Sequence, residues 1–237
     1  TMMGIGVMPT EDPMYFGMVG NNGKAFANRA MNESDLLVMV GVRVADRAIA
    51  QPDLITTNKT LVHIDVDPAE IGKNVEPSIP LVGDARHIFE DIAAEEFECE
   101  HEDWIRTLEG YRETMIQKRN PNPDYVDPAA FIKMLSNEMK EDAVYVADVG
   151  QNQIWSCNYH IVKGGRFLTS GGMGTMGYSI PAAMGAKRGD MDRQVIAVCG
   201  DGSFQMSMME LATIVQHHIP VKIIVIKNNY LGMVREF

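Results

Sequence analysis

Asp201 stands between two glycines in Gly200-Asp201-Gly202-Ser203, directly after the apolar run Val195-Ile196-Ala197-Val198-Cys199. Taken alone, Asp-Gly after a strand signals a hairpin. The residues that follow argue against a returning strand. Met206, Met209, Glu210, Thr213 and Gln216 fall at helical spacing, with Met208, Leu211, Ala212, Ile214 and Val215 expected on the core-facing side. A strand that runs through glycines into a helix presents unpaired backbone N–H groups and the positive end of a helix dipole, which suits a phosphate. A carboxylate at Asp201 repels a phosphate, and a bridging cation removes the conflict, because Mg²⁺ combines one or two carboxylates with phosphate oxygens and neutral oxygen donors. A neutral donor follows the next apolar run, 221–226, in Lys227-Asn228-Asn229-Tyr230. Asn228 lies 27 residues after Asp201, room for one helix and one parallel strand, so its amide reaches the same sheet edge. An ordinary Asn-Asn turn is the alternative reading of that pair.

The elements that must position these groups read as an α/β fold. Apolar, β-branched runs at 36–44, 61–65, 143–147, 194–199 and 221–226 alternate with helical patterns, and their lack of strict alternation suits parallel strands covered on both faces, a doubly wound architecture. Asp127-Pro128 supplies an N-cap and a proline at the first helical position of a helix running to about residue 140. The acidic run 95–103 and the breaker Asn120-Pro121-Asn122-Pro123 mark a boundary, so the expected division is 1–98, a linker at 99–125, and 126–237. The acidic run itself is expected to be a solvated helix face leading into Trp104, Ile105 and Leu108.

A net charge of −11 disfavours nucleic acid and anionic membrane surfaces as partners, and 46% hydrophobic residues provide for a sizeable core. No apolar run reaches the length needed to span a bilayer, and the first residues lack the basic start of a signal peptide. Cys99, Cys157 and Cys199 are odd in number and form no CxxC pair, which points to reduced thiols in a cytoplasmic setting.

The residues of 126–237 also carry a family resemblance. Gly-Asp-Gly followed by a helix, a strand and Asn-Asn resembles the diphosphate–metal motif of thiamine diphosphate enzymes. Asp148-Val149-Gly150-Gln151, the stretch from Ser170 through Gly171, Gly172, Met173, Gly174, Thr175, Met176 and Gly177 to Pro181, and Leu231-Gly232-Met233-Val234-Arg235-Glu236 resemble the acetohydroxyacid (acetolactate) synthases. The resemblance implies that Asp201, Asn228 and the carbonyl of Tyr230 ligate Mg²⁺, and that Gln151, Asn152, Gly202 and Ser203 hold the diphosphate. It implies further that Gly174 bonds the aminopyrimidine and that Met176 wedges beneath the cofactor. Met233, Arg235 and Phe237 fall in the region that selects the acceptor. No catalytic residue is assigned within the chain. In this family the activating glutamate sits on a separate N-terminal domain that no part of the chain resembles, and Glu210 is not reassigned to that role.

The first half resembles the later part of the family's middle domain, a partial Rossmann-like unit that in these synthases binds FAD. The matching positions are Thr1, Met2, Met18, Gly20, Gly41, Arg43, Asp46, Asp65, Asp84 and Ala85. Asp65 closes a strand where an acidic residue commonly bonds a ribose hydroxyl, and a solvated strand-end carboxylate is the alternative. As a whole the chain reads as part of an acetolactate synthase that decarboxylates pyruvate and ligates the hydroxyethyl unit to a second 2-oxo acid in branched-chain amino acid biosynthesis. That parent would be a homodimer or tetramer, with a regulatory subunit as a further partner. The part alone is expected to be inactive. Alternatives are glyoxylate carboligase, pyruvate oxidase or a 2-oxo acid decarboxylase, or a non-catalytic cofactor-binding or dimerisation module.

Overall fold

Successive residues of a strand face opposite sides of its sheet, and in β4 (Val144–Ala147) both sides are covered. Tyr145 and Ala147 pack with Met139, Ala143, Ile196 and Val198, whereas Val144 and Val146 pack with Ala183, Val195 and Ala197. The computed structural model describes residues 1–237 apart from 46, 47, 50, 97, 116–118 and 237. Its described residues divide into two compact units, Thr1 with Met18–Lys118, and Met2–Gly17 with Arg119–Phe237.

The first unit contains α1 (Ala25–Glu33), β1 (Leu36–Val40), α2 (Asp53–Thr56), β2 (Thr60–Asp65), β3 (Ile79–Val82), α3 (Ala85–Ala94) and α4 (Glu102–Thr114). Its strands form a parallel sheet in the order β1-β2-β3, with Val40 opposite Ile64 and Asp65 opposite Val82. Met39, Leu61, Ile55 and Val75 build the core on one face. β1 ends four residues before the expected 44, where Gly41 takes the left-handed φ of 58°. β3 goes unannounced in the sequence because it is four residues long and carries Pro80. The expected linker at 99–125 contains α4, which packs on α1. The Tyr111 hydroxyl donates to Glu33, and Arg29 lies 4.1 Å from the Tyr111 ring centroid. Of the residues that the acidic run leads into, only Leu108 is buried in α4.

The second unit contains α5 (Pro128–Glu138), β4, α6 (Gln151–Tyr159), β5 (Arg166–Thr169), α7 (Ser179–Gly189), β6 (Val195–Gly200), α8 (Asp201–Ser207), α9 (Glu210–Gln216), β7 (Lys222–Ile226) and α10 (Gly232–Glu236). Its sheet is parallel throughout, in the order β5-β4-β6-β7. The expected cap at Asp127 is present, with its carboxylate accepting from the Ala129 N–H at 3.1 Å. The start of the chain joins this unit, as Thr10 N donates to the Val162 carbonyl and Val162 N to the Thr10 hydroxyl. Both faces of the sheet carry helices, so the unit is doubly wound. Complete burial holds for the central β4 and for the apolar part of β6, whereas β7 is part-exposed and β1 of the first unit likewise. The apolar run after Asp201 forms two short helices broken at Met208 and Met209. Its expected core-facing Met208, Leu211 and Val215 are exposed, since helical periodicity identifies an apolar face without supplying a layer to cover it.

Candidate cofactor and metal site

The carboxyl ends of β4, β6 and β7 open onto one cleft of about 940 Å³, lined by Gln151, Asn152, Met176, Asp201, Gly202, Ser203, Asn228 and Tyr230 among others. Parallel strands in adjacent order put the turns that follow them on one edge, which is the usual place for a ligand in such sheets. β6 passes directly into α8, so Asp201 stands in the first helical turn. Its Oδ2 accepts the Asn229 N–H at 2.9 Å. The Asn228 side chain donates to Gln151 Oε1 at 3.2 Å, and its own Oδ1 accepts the Tyr230 N–H at 3.1 Å. Gln151 in turn donates to Glu236. Every one of the nine cleft candidates except Gly174 therefore lines the cleft. Gly174 sits in the loop before α7 with φ 65°, and a Cβ there meets nothing within 4 Å.

The hydrogen bonds alter the expected roles of two residues. Asn152 is buried and directs Nδ2 to the carbonyls of Asp148 at 2.9 Å and Val198 at 3.2 Å. Both amide hydrogens thus join β4 to β6, and its side chain has none left for a phosphate. Ser203 is also buried, with its hydroxyl donating to the Gly200 carbonyl and accepting the Gly200 N–H. The groups that remain for an anion at α8 are the N–H groups of its first turn, which have no partner within the helix. Gly202 lies where close approach matters, since a Cβ there would stand 2.7 Å from Leu231 Cδ2 and 3.4 Å from Met176 Cε. Met176 accordingly reaches over the start of α8.

Three residues that were not singled out as site residues shape the cleft. Asp148 is fully buried at the end of β4 and accepts from the Val149, Gly177 and Ser179 N–H groups at 2.8, 2.9 and 2.7 Å. Gln153 donates to Thr169 Oγ1 and to the Ser170 carbonyl at the base of the same loop. Gly232 faces Gln151, whose Oε1 would lie 1.8 Å from a Cβ at that position. The acceptor-region candidates Met233 and Arg235 lie on α10, with Arg235 stacked 4.9 Å from the Tyr230 ring centroid, and Phe237 lies outside the described residues. Glu210 opens α9 and is not among the cleft's lining residues.

Away from the cleft, the buried pair Ser136 and His160 is 2.7 Å apart, a spacing that also occurs in nucleophilic sites. The Ser136 hydroxyl donates instead to the Ile132 carbonyl and accepts the Ile161 N–H. The His160 Nδ1–H must then be a donor to Ser136, which leaves no base to activate the oxygen. Burial holds the imidazole neutral, with its pKa lowered to about 3.

In the first unit, Gly41 follows β1, Asp65 closes β2 and Asp84 comes two residues after β3, three adjacent parallel strands. The Asp65 carboxylate accepts the Asp67 N–H at 2.9 Å, and Asp84 caps α3, which Ala85 opens, by accepting the Arg86 N–H at 2.8 Å. Arg43 is exposed at 3.9 Å from Glu70. Met18 is buried, and Gly20 is held on both its N–H and its carbonyl by Asn28. Thr1 belongs to this unit and Met2 to the second, where it forms part of a single helical turn. Asp46 lies outside the described residues.

Among the described residues no helix is long and apolar enough to cross a membrane. Residues 1–92 match the family described as thiamine pyrophosphate enzyme, central domain, and residues 148–237 match thiamine pyrophosphate enzyme, C-terminal TPP binding domain. The whole chain aligns with the acetolactate synthase large subunit of Corynebacterium glutamicum at 39% identity, covering 39% of that protein. It aligns with the probable acetolactate synthase large subunit of Methanocaldococcus jannaschii at 38%, covering 42%, and with the acetolactate synthase isozyme 3 large subunit of Escherichia coli at 37%, covering 43%. The chain thus spans about two fifths of the length of these relatives. Two domains of the thiamine pyrophosphate enzymes thus follow one another in this chain, the second of them carrying the cleft at the ends of β4, β6 and β7, and the chain is a homologue of acetolactate synthase large subunits.

Proposed function

We propose that the second unit holds thiamine diphosphate by its diphosphate end through a Mg²⁺ ion, within an acetolactate synthase that joins a unit from pyruvate to a second 2-oxo acid. The observation that carries this reading is the convergence of the Asp201 carboxylate, the Asn228 amide and the Gln151 amide at one cleft. A carboxylate, an amide oxygen and a backbone carbonyl are hard oxygen donors, which is the set that Mg²⁺ prefers. The first turn of α8 offers N–H groups to the diphosphate oxygens. Thiamine diphosphate held there would supply a nucleophilic carbon for chemistry at the carbonyl of a 2-oxo acid. The chain's own residues bind and orient: Asp201 and Asn228 fix the charged end, and the loop bearing Gly174 and Met176 faces the rings.

For the first unit, the same reading takes Gly41, Asp65 and Asp84 as the edge that receives FAD, with Asp65 toward a ribose hydroxyl. Assembly as a homodimer or tetramer, a regulatory subunit, a place in branched-chain amino acid biosynthesis and a cytoplasmic location belong to the same proposal; the relatives' being large subunits supports a further subunit, and three unpaired thiols support a reducing compartment.

Titration calorimetry with thiamine diphosphate, with and without Mg²⁺, tests the assignment. Binding is expected to need the cation and to fall at least tenfold in Asp201→Ala. Equal affinity in the two proteins sinks the metal assignment.

A further inference from the structure

The loop from Ser170 to Tyr178 has little reason to hold one shape by itself. Gly174 and Gly177 both take positive φ, 65° and 82°, and glycine loses more conformational freedom on ordering than any other residue. Met173 is exposed. Yet Gly177 is pressed against α8, where a Cβ would stand 3.0 Å from the Met206 Cβ, and its neighbour Met176 reaches the Gly202 position. Asp148 supplies the fastening. Its Oδ1 takes the Gly177 N–H across 29 residues of sequence, and its Oδ2 takes the Ser179 N–H, the first of α7, across 31. Charged acceptors make the stronger class of hydrogen bond, and a buried carboxyl group without such donors is costly.

We propose that Asp148 is a positioning residue that sets the ring-end loop of the cofactor site, so that one turn, 148–153, organises both ends of the cleft. Within that turn Gln151 meets Asn228, Asn152 ties β4 to β6, and Asp148 with Gln153 anchors the loop carrying Gly174 and Met176. This inference rests on the thiamine diphosphate reading for its ligand, but the fastening itself is a property of the chain. Asp148→Asn keeps the shape and replaces one acceptor oxygen with a donor, which then faces an N–H and cannot bond it.

Two measurements on the 237-residue chain test the inference. Hydrogen exchange of wild type is expected to show Gly177 and Ser179 amides protected, and Asp148→Asn, which keeps one acceptor oxygen, is expected to lose that protection selectively at one of the two, with β4 and β6 unchanged. Unchanged exchange at both amides overturns the fastening. Calorimetry then compares thiamine diphosphate with inorganic diphosphate, each with Mg²⁺. Asp148→Asn is expected to weaken the former at least tenfold and the latter less than twofold. Equal losses for both ligands, the result of a merely structural role, overturn the positioning assignment, and so does no loss for either. Wild type that binds neither ligand counts against the cofactor reading, while the exchange result still decides the fastening.

Discussion

The N–H of Asn229 donates to Asp201 Oδ2 at 2.9 Å, and at Asn229 the backbone turns through a left-handed φ of 65°. The turn after β7 is thereby latched to the first residue of α8, which fixes the separation between Asp201 and Asn228 before any ligand arrives. A left-handed backbone is tolerated by asparagine and glycine and costs a β-branched residue about 1–2 kcal/mol.

Asn229→Gly is accordingly expected to bind thiamine diphosphate and Mg²⁺ nearly as wild type does. Asn229→Val should lower affinity about tenfold and reduce stability by about 1–2 kcal/mol. Calorimetry and urea unfolding of the two variants check the contrast, and equal behaviour of Gly and Val would show that the latch carries no strain.

Gly232→Ala directs a methyl group at Gln151, with Oε1 at 1.8 Å from the new Cβ. The Gln151 side chain must swing away and release Asn228. The fold should survive, because alanine is the better helix former at the start of α10. Mg²⁺-dependent binding is expected to weaken by about 1 kcal/mol, the worth of one hydrogen bond. A Gln151→Ala, Gly232→Ala double variant should show no further loss, which isolates the clash as the cause.

His160 gives the second unit an acid-sensitive stability. Its folded pKa is lowered by burial to about 3, against an ordinary 6.5 in the unfolded chain. The unfolded state therefore binds a proton first as pH falls. This contribution is present in full above pH 6.5 and is lost progressively toward pH 3, with a limiting slope of about 1.4 kcal/mol per pH unit. Urea unfolding at pH 7 and pH 4.5 should show His160→Phe losing less stability on acidification than wild type, whatever its absolute stability at pH 7.

His63 is 1% exposed in the middle of β2, and neither ring nitrogen has a hydrogen-bond partner among the described residues. It aligns with Met39 across the sheet. An unpartnered polar group in that position costs about 1–3 kcal/mol relative to an apolar side chain of similar size. His63→Leu should therefore raise the unfolding midpoint of the first unit. A lowered midpoint would show that the imidazole is satisfied in solution by a partner such as water or a bound ligand.

The parts of the site that announced themselves in the sequence are side chains at fixed spacing on adjacent parallel strands. Asp201 and Asn228 are separated by a helical connection, α8 and α9, and one strand, β7, and parallel connection forces them to a shared edge. The parts that did not are backbone relationships. Asp148 acts on the N–H groups of Gly177 and Ser179, and an N–H is carried by every residue except proline, so no residue type marks it. The diphosphate role of Asn152 came from the family resemblance, and its two carbonyl partners, Asp148 and Val198, carry no mark in the sequence. Among the elements, β3 and β5 have four residues each and sit at sheet edges, too short for an alternation to register. The acidic run reads correctly as leading into a helix face, but the span 99–125 reads as a linker because α4 within it buries only Leu108.

The three thiols turn the buried turn of the second unit into something that can be timed. Cys99 is exposed, whereas Cys157 in α6 and Cys199 in β6 are buried with pKa values pushed up to about 12, chiefly by desolvation, and for Cys199 also by the neighbouring Asp148 carboxylate. A thiol that cannot ionise does not react with an alkylating reagent. Labelling at Cys99 thus measures the reagent, and labelling at Cys157 and Cys199 measures how often α6 and β6 open, so the chain carries an internal clock and its own calibration. A ligand seated on the turn between β4 and α6 should slow both buried thiols and leave Cys99 unchanged.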